Sequence, residues 1–120
     1  MDFGERLYRL RISKSVYQKE LAVYLHVSIG TISNYENGVH QPDLKTLCKI
    51  ADYFQVSADY LLGRTKFSAP VNTLNQVLVG HYTTGDIMNI ILKQSAESHH
   101  DLIKYLTMLK LYEELGEPSE

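Results

Sequence analysis

The sequence predicts an all-α protein, and two features carry that reading. Apolar residues recur at spacings of three and four along most of the chain, as in Leu21, Ala22 and Leu25 or Leu47, Ala51 and Phe54. Residues that start and stop helices bracket these runs, with Ser28, Asp43 and Ser57 ahead of them and Gly38 and Gly63 behind. A chain of 120 residues holds one ordinary domain, or one small domain with an appendage.

Phe3 to Ile12 is the first predicted helix, with Phe3, Leu7 and Leu10 as its core stripe. Ser13 to Tyr17 connects it to a short second helix from Gln18 to Leu25, and Ser15 with Gln18 offers a capping box that would start this helix a little early. His26 and Val27 leave only a tight turn before the third helix, which Ser28 caps, Ile32 and Tyr35 anchor, and Gly38 ends. Val39 to Pro42 is a loop. The fourth helix starts at or beside Asp43, and its stripe of Leu44, Leu47, Cys48, Ala51 and Phe54 makes Cys48 a core filler. Ser57 caps a fifth helix that holds Tyr60 and Leu61. The nine tyrosines lie mostly at helical core spacings.

A domain over residues 1–63 is therefore expected, followed by a linker over 64–72 with Ser68, Ala69 and Pro70 at its middle. Beyond it, Leu74, Val77 and Leu78 suit a short helix ending at Gly80. Gly85 to Glu97 suits a second, carrying Ile87, Met88, Ile90, Ile91 and Leu92. Ser98 with Asp101 resembles an N-cap signal for a third, striped by Leu102, Ile103, Leu106, Leu109, Leu111, Tyr112 and Leu115. So few helices cannot bury faces this wide by themselves. Residues 73–120 are accordingly expected to be a helical dimerisation or regulatory segment, making the chain a homodimer.

The outer face of the third helix is unusual for a solvated surface. It carries Thr31, Ser33, Asn34 and Asn37, short uncharged side chains where Lys and Glu are the common choice. Short amides and hydroxyls suit base edges and phosphate oxygens. The net charge of −2 is unevenly spread: residues 1–66 hold nine Lys and Arg against seven Asp and Glu, and residues 67–120 hold three against seven. A mildly basic front and an acidic back fit a protein whose front alone meets phosphate.

The spacing Gln18-x-x-Leu21-Ala22, Val27-Ser28, Ile32-Ser33-x-Tyr35-Glu36-Asn37-Gly38 and Pro42 resembles the lambda-repressor-like, XRE-type helix-turn-helix family of transcriptional regulators. Asp52-Tyr53-Phe54-x-Val56-Ser57-x-Asp59-Tyr60-Leu61-Leu62-Gly63 resembles the end of the same domain, so the likeness covers about residues 3–63. It implies a five-helix domain that binds double-stranded operator DNA, most often as a repressor. Ile29, Gly30, Ser33 and Asn34 stand at the positions that meet bases, with Asn34 the best reader of adenine and Ile29 placed for a thymine methyl. Gln18, Thr31, Asn37, Lys14 and His40 are the phosphate candidates, Gln18 at a helix N-terminus. Arg11 and Glu36 occupy positions that form an ion pair in many relatives. The chain departs from the family pattern at four places. Tyr17 stands where Ser or Thr is usual, Ile29-Gly30 where long polar residues are common, Val39-His40-Gln41 where the loop is often basic, and His26 where the turn favours Gly. That last position wants positive φ, which His tolerates better than most residues.

Other classes find little support. There is no nucleophile–base arrangement, phosphate-cradling glycine loop or paired-carboxylate site, so binding rather than catalysis is expected. His81, His99 and His100 have no ligand-like spacing with Cys48, and no metal or cofactor is expected. A single Cys, no apolar run near the roughly 20 residues of a membrane span and no signal-like N-terminus predict a soluble cytoplasmic protein. Two alternatives keep the fold: an antitoxin whose C-terminal part binds a toxin, and a protein-interaction module that has lost DNA binding.

Overall fold

Leu7, Leu21, Ile32, Ile50 and Leu61 are fully buried, one from each of five helices. The computed structural model describes residues 1–116, and these helices are α1 (Phe3–Ser13), α2 (Gln18–Leu25), α3 (Ile29–Glu36), α4 (Leu44–Phe54) and α5 (Ala58–Leu61). Burying each such side chain contributes about 1.5–3 kcal/mol. Leu10, Leu25, Tyr35, Phe54 and Val56 close the core around them.

Short side-chain caps set the helix starts. Asp2 Oδ1 accepts from Glu5 N–H (2.9 Å), Ser28 Oγ from Thr31 N–H (3.1 Å), Asp43 Oδ1 from Thr46 N–H (2.7 Å) and Ser57 Oγ from Tyr60 N–H (3.0 Å). Each cap stabilises its helix by about 1 kcal/mol. The side-chain and backbone hydrogen bonds from Thr46 hold the Asp43 carboxyl below the usual carboxylate range. At α2 the cap differs from the expected Ser15 box. Glu20 Oε1 reaches back to Tyr17 N–H (3.2 Å), so α2 starts after Tyr17, while Ser15 takes φ +56° in the connection.

Two expectations for the core are corrected. Leu47, Ile50, Ala51 and Phe54 form the inward face of α4, whereas Cys48 is exposed and Leu44 is 82% exposed. At 100° per residue Cys48 falls past the edge of that face, and Leu44, in the first turn, overshoots the core. Of the tyrosines only Tyr35 is buried, and Tyr8, Tyr17, Tyr24, Tyr82, Tyr105 and Tyr112 are exposed.

The chain divides into two compact units, Met1–Thr73 and Leu74–Glu120. The first therefore includes residues 64–72, whose backbone is tied down by Arg64 N–H donating to Asp59 O (2.9 Å) and Ser57 N–H donating to Ser68 O (3.0 Å).

The expected helix from Leu74 to Gly80 does not form. In its place are a 3-10 turn (Val71–Asn75) and an antiparallel hairpin of β1 (Val77–Val79) and β2 (Tyr82–Thr83), pairing Val77 with Thr83 and Val79 with Tyr82 across a bulge. Flanking valines favour extended backbone, and Gly80 at φ +56° reverses the chain. α6 (Thr84–Leu92) is shorter than the expected span to Glu97. A reciprocal box starts it: Thr83 Oγ1 accepts from Asp86 N–H (3.1 Å) and Asp86 Oδ2 from Thr83 N–H (3.0 Å). α7 (Ala96–Gly116) begins three residues before the expected signal, because Ser95, not Ser98, is the cap: Ser95 Oγ accepts from Ser98 N–H (3.1 Å). Among the described residues no helix is long and apolar enough to cross a membrane.

Candidate nucleic-acid interface

α2 and α3 are joined by a turn that the left-handed His26 (φ +57°) makes possible, as its position requires. Val27 N–H donates to Ala22 O (3.0 Å), closing α2, and the Ser28 cap opens α3 at once. Ile32 and Tyr35 bury one side of α3. At 100° per residue the opposite side carries Ile29, Gly30, Ser33, Asn34 and Asn37. Ile29 is 49% exposed, Gly30 and Asn37 are exposed, and Ser33 and Asn34 are half-buried. Asn37 Nδ2 donates to Ser33 Oγ (3.2 Å), ordering this edge. Thr31 sits beside it with Oγ1 2.9 Å from Ser28 Oγ.

The far end of α3 is fixed by a charged cluster. Arg11, only 7% exposed, donates from Nε to Glu36 Oε2 (2.7 Å), from Nη2 to Glu36 Oε1 (3.0 Å) and from Nη1 to Val16 O (2.9 Å). This forked pair ties α1 to α3, and the Glu36 hydrogen bond raises the Arg11 pKa against the cost of burial. The Tyr8 ring lies 5.5 Å from the guanidinium carbon. Glu36 Oε1 also accepts from Gln18 Nε2 (3.1 Å). Gln18, at the first position of α2, thus has its amide held against the ion pair, leaving the second hydrogen of Nε2 for an outside acceptor. Lys14 ends α1 and is exposed, as is His40 in the loop after α3. That loop is pinned to α3 because Val39 and His40 N–H both donate to Asn34 O (2.9 and 3.3 Å).

One residue that shapes this site was not singled out from the sequence. Gly4 is buried in the first turn of α1, where an added Cβ would lie 2.5 Å from Tyr35 O and 2.6 Å from Glu36 O. Its missing side chain lets α1 meet the C-terminal turn of α3. The only available signal was a glycine inside an otherwise regular helical pattern.

The family model described as Helix-turn-helix matches residues 7–61. The HTH-type transcriptional regulator ImmR of Bacillus subtilis (strain 168) is 40% identical over 68 residues, 57% of this chain and 54% of ImmR. The SPbeta prophage-derived uncharacterized HTH-type transcriptional regulator YonR of the same strain is 31% identical over 107 residues, 81% of this chain and 99% of YonR. The chain belongs to the helix-turn-helix family. It spans about half the length of ImmR but nearly all of YonR. Among solved structures, the P22 c2 repressor protein in complex with synthetic operator 9T is 31% identical with a TM-score of 0.50, over 52% of this chain and 94% of that one. A transcriptional regulator from Listeria innocua shares the fold at 24% identity and a TM-score of 0.52, over 98% of this chain and 97% of that one. Within the family, α2 and α3 are the helix-turn-helix pair, and the α3 side bearing Ile29, Ser33 and Asn34 is the one turned away from the core.

Proposed function

We propose that this helix-turn-helix protein is a sequence-specific, double-stranded DNA-binding transcriptional repressor that grips its operator as a homodimer. One observation carries the reading: α3 is anchored at both ends, by the Ser28 cap and the Arg11–Glu36 pair, while presenting an uncharged polar face outward. The P22 c2 repressor, 31% identical, is bound to operator DNA in its structure, which supports the same docking here. In this reading α3 enters the major groove. Asn34 bonds adenine, Ile29 touches a thymine methyl, Ser33 adds a hydrogen bond, and Gly30 allows close approach. Gln18 donates its remaining amide hydrogen to a phosphate, and Thr31, Asn37, Lys14 and His40 complete the backbone grip. α3 itself carries no Lys or Arg, so sequence-independent attraction is modest and DNA shape contributes to selection.

The test is fluorescence anisotropy with the DNA upstream of the protein's own gene, against scrambled DNA, at two salt concentrations. Salt-sensitive binding that favours the upstream DNA is expected. Asn34→Ala is expected to weaken specific binding by about 1–3 kcal/mol and leave scrambled-DNA binding nearly unchanged. Wild-type protein with no preference for its upstream DNA, or an Asn34→Ala variant that binds as tightly, would contradict the reading.

A further inference from the structure

Between α1 and the chain that follows α5 lies a cleft of about 570 Å³, within the size range of small-molecule sites. Arg6, Arg9 and Ser13 line it from α1, and Tyr60, Thr65 and Lys66 line it from the other side. No Asp or Glu is among the described residues of its wall. Arg6 is half-buried, and backbone carbonyls rather than a carboxylate hold its guanidinium: Nη1 donates to Leu61 O (3.0 Å) and Nη2 to Met1 O (2.7 Å). Gly63, at φ +77°, closes over this group, and an added Cβ there would run into the guanidinium. Arg6 is thus fixed in place, with three of its five N–H groups left for another acceptor. Among the described residues neither Arg6 nor Lys66 forms an ion pair, and Arg9 pairs only with the exposed Glu5 (3.1 Å). Thr65 Oγ1 accepts from Phe67 N–H (3.1 Å), which leaves its own hydrogen to donate.

We propose that this cleft binds a small phosphomonoester the size of a sugar phosphate, with its phosphate held between Arg6, Arg9 and Lys66. Arginine gives forked donors that match phosphate oxygens, lysine adds a point charge, and Thr65 adds a hydroxyl. Three cations with no carboxylate among them attract a dianion more strongly than a single carboxylate. The cleft is far larger than phosphate alone, and the half-buried Tyr60 offers an apolar wall to the rest of the ligand. The site stands apart from the proposed DNA face. Arg11 reaches to Glu36 at the end of α3, and at 100° per residue Arg6, Arg9 and Ser13 lie about 140–160° round α1 from it. A ligand in the cleft bridges two segments far apart in the chain, so it stabilises the first unit as it binds.

The experiment measures thermal melting and calorimetric binding of the full chain with ribose 5-phosphate, inorganic phosphate and ribose, each at ionic strength matched with sodium chloride. Ribose 5-phosphate is expected to raise the melting temperature and to bind one per chain, more tightly than inorganic phosphate, while ribose does neither. The double variant Arg9→Gln and Lys66→Gln is expected to lose at least tenfold in affinity for ribose 5-phosphate. Both side chains are exposed, so the fold should persist. The single Lys66→Gln, which breaks no ion pair, is expected to weaken binding severalfold and decides the matter if the double variant is unstable. Lys14→Gln, on the proposed DNA face, is expected to bind ribose 5-phosphate as wild type does. A melting temperature that ribose 5-phosphate moves no more than sodium chloride does overturns the site. So do Arg9 and Lys66 variants that bind as tightly as wild type. A Lys14→Gln variant that loses as much as the double variant also overturns it, and assigns the phosphate to the DNA grip instead.

Discussion

Glu36 accepts three hydrogen bonds on one carboxylate, two from Arg11 and one from Gln18. This single residue couples the position of α1, the C-terminal end of α3 and the amide proposed to hold a phosphate. The side chains of Arg11 and Glu36 are 9% and 5% exposed. Water therefore cannot compensate for the loss of either partner, and removing one strands a buried charge at a cost of about 3–5 kcal/mol. Arg11→Met is expected to lower urea stability by that order, and Glu36→Leu likewise. The double variant is expected to lose clearly less than the sum of the two, because it leaves no charge unpaired. Strict additivity in this cycle would mean that the two groups do not interact in solution. The pair could be anticipated from the family resemblance. The bond to Gln18 could not, since nothing in the spacing of residues 18 and 36 tells how an amide will turn.

For whole elements, two glycines give opposite expectations from the same substitution. Alanine normally stabilises a helix relative to glycine by about 0.5–1 kcal/mol. At Gly30 an added Cβ meets only Ser28 Oγ at 3.7 Å, so Gly30→Ala is expected to raise the melting temperature while weakening operator binding through lost close approach. At Gly4 the new atom would press into two backbone carbonyls of α3 that cannot give way. Gly4→Ala is therefore expected to destabilise by about 1–3 kcal/mol despite its better propensity. Thermal melts of both variants check the pair, and a stabilised Gly4→Ala would mean that α1 and α3 are less closely packed than described. The contrast also marks what was legible in the sequence. α1 to α5 could be read because apolar residues recur at helical spacing behind Asp and Ser caps. Gly4 could not, because its neighbours lie some thirty residues away along the chain. Val77–Val79 was misread because a three-residue apolar run has no period by which to tell strand from helix. Cys48 was misread because α4 carries more apolar residues than its one covered face can use.

On the scale of the whole molecule, the two units differ in what they bury. Among the described residues, every buried core residue lies in Met1–Thr73, which also has its own caps, so this unit has what an independent fold needs. The second unit, with no buried residue among those described, does not. A truncation ending at Thr73 is a better cut than one at Arg64, because it keeps the backbone bond from Ser57 to Ser68. This fragment is expected to melt in one cooperative transition and to be monomeric by light scattering. If the full chain binds two half-sites as a dimer, each domain raises the local concentration of the other, and linkage of this kind contributes about 10²–10⁴-fold in affinity. The fragment should lose affinity of that order for the operator. Its binding to scrambled DNA should not fall comparably, because a single domain keeps its phosphate grip and loses the acidic segment. A fragment that still dimerises would place the interface in the first unit. A monomeric fragment with full operator affinity would show that one domain suffices for recognition, and the second unit would then need a role other than pairing two readers.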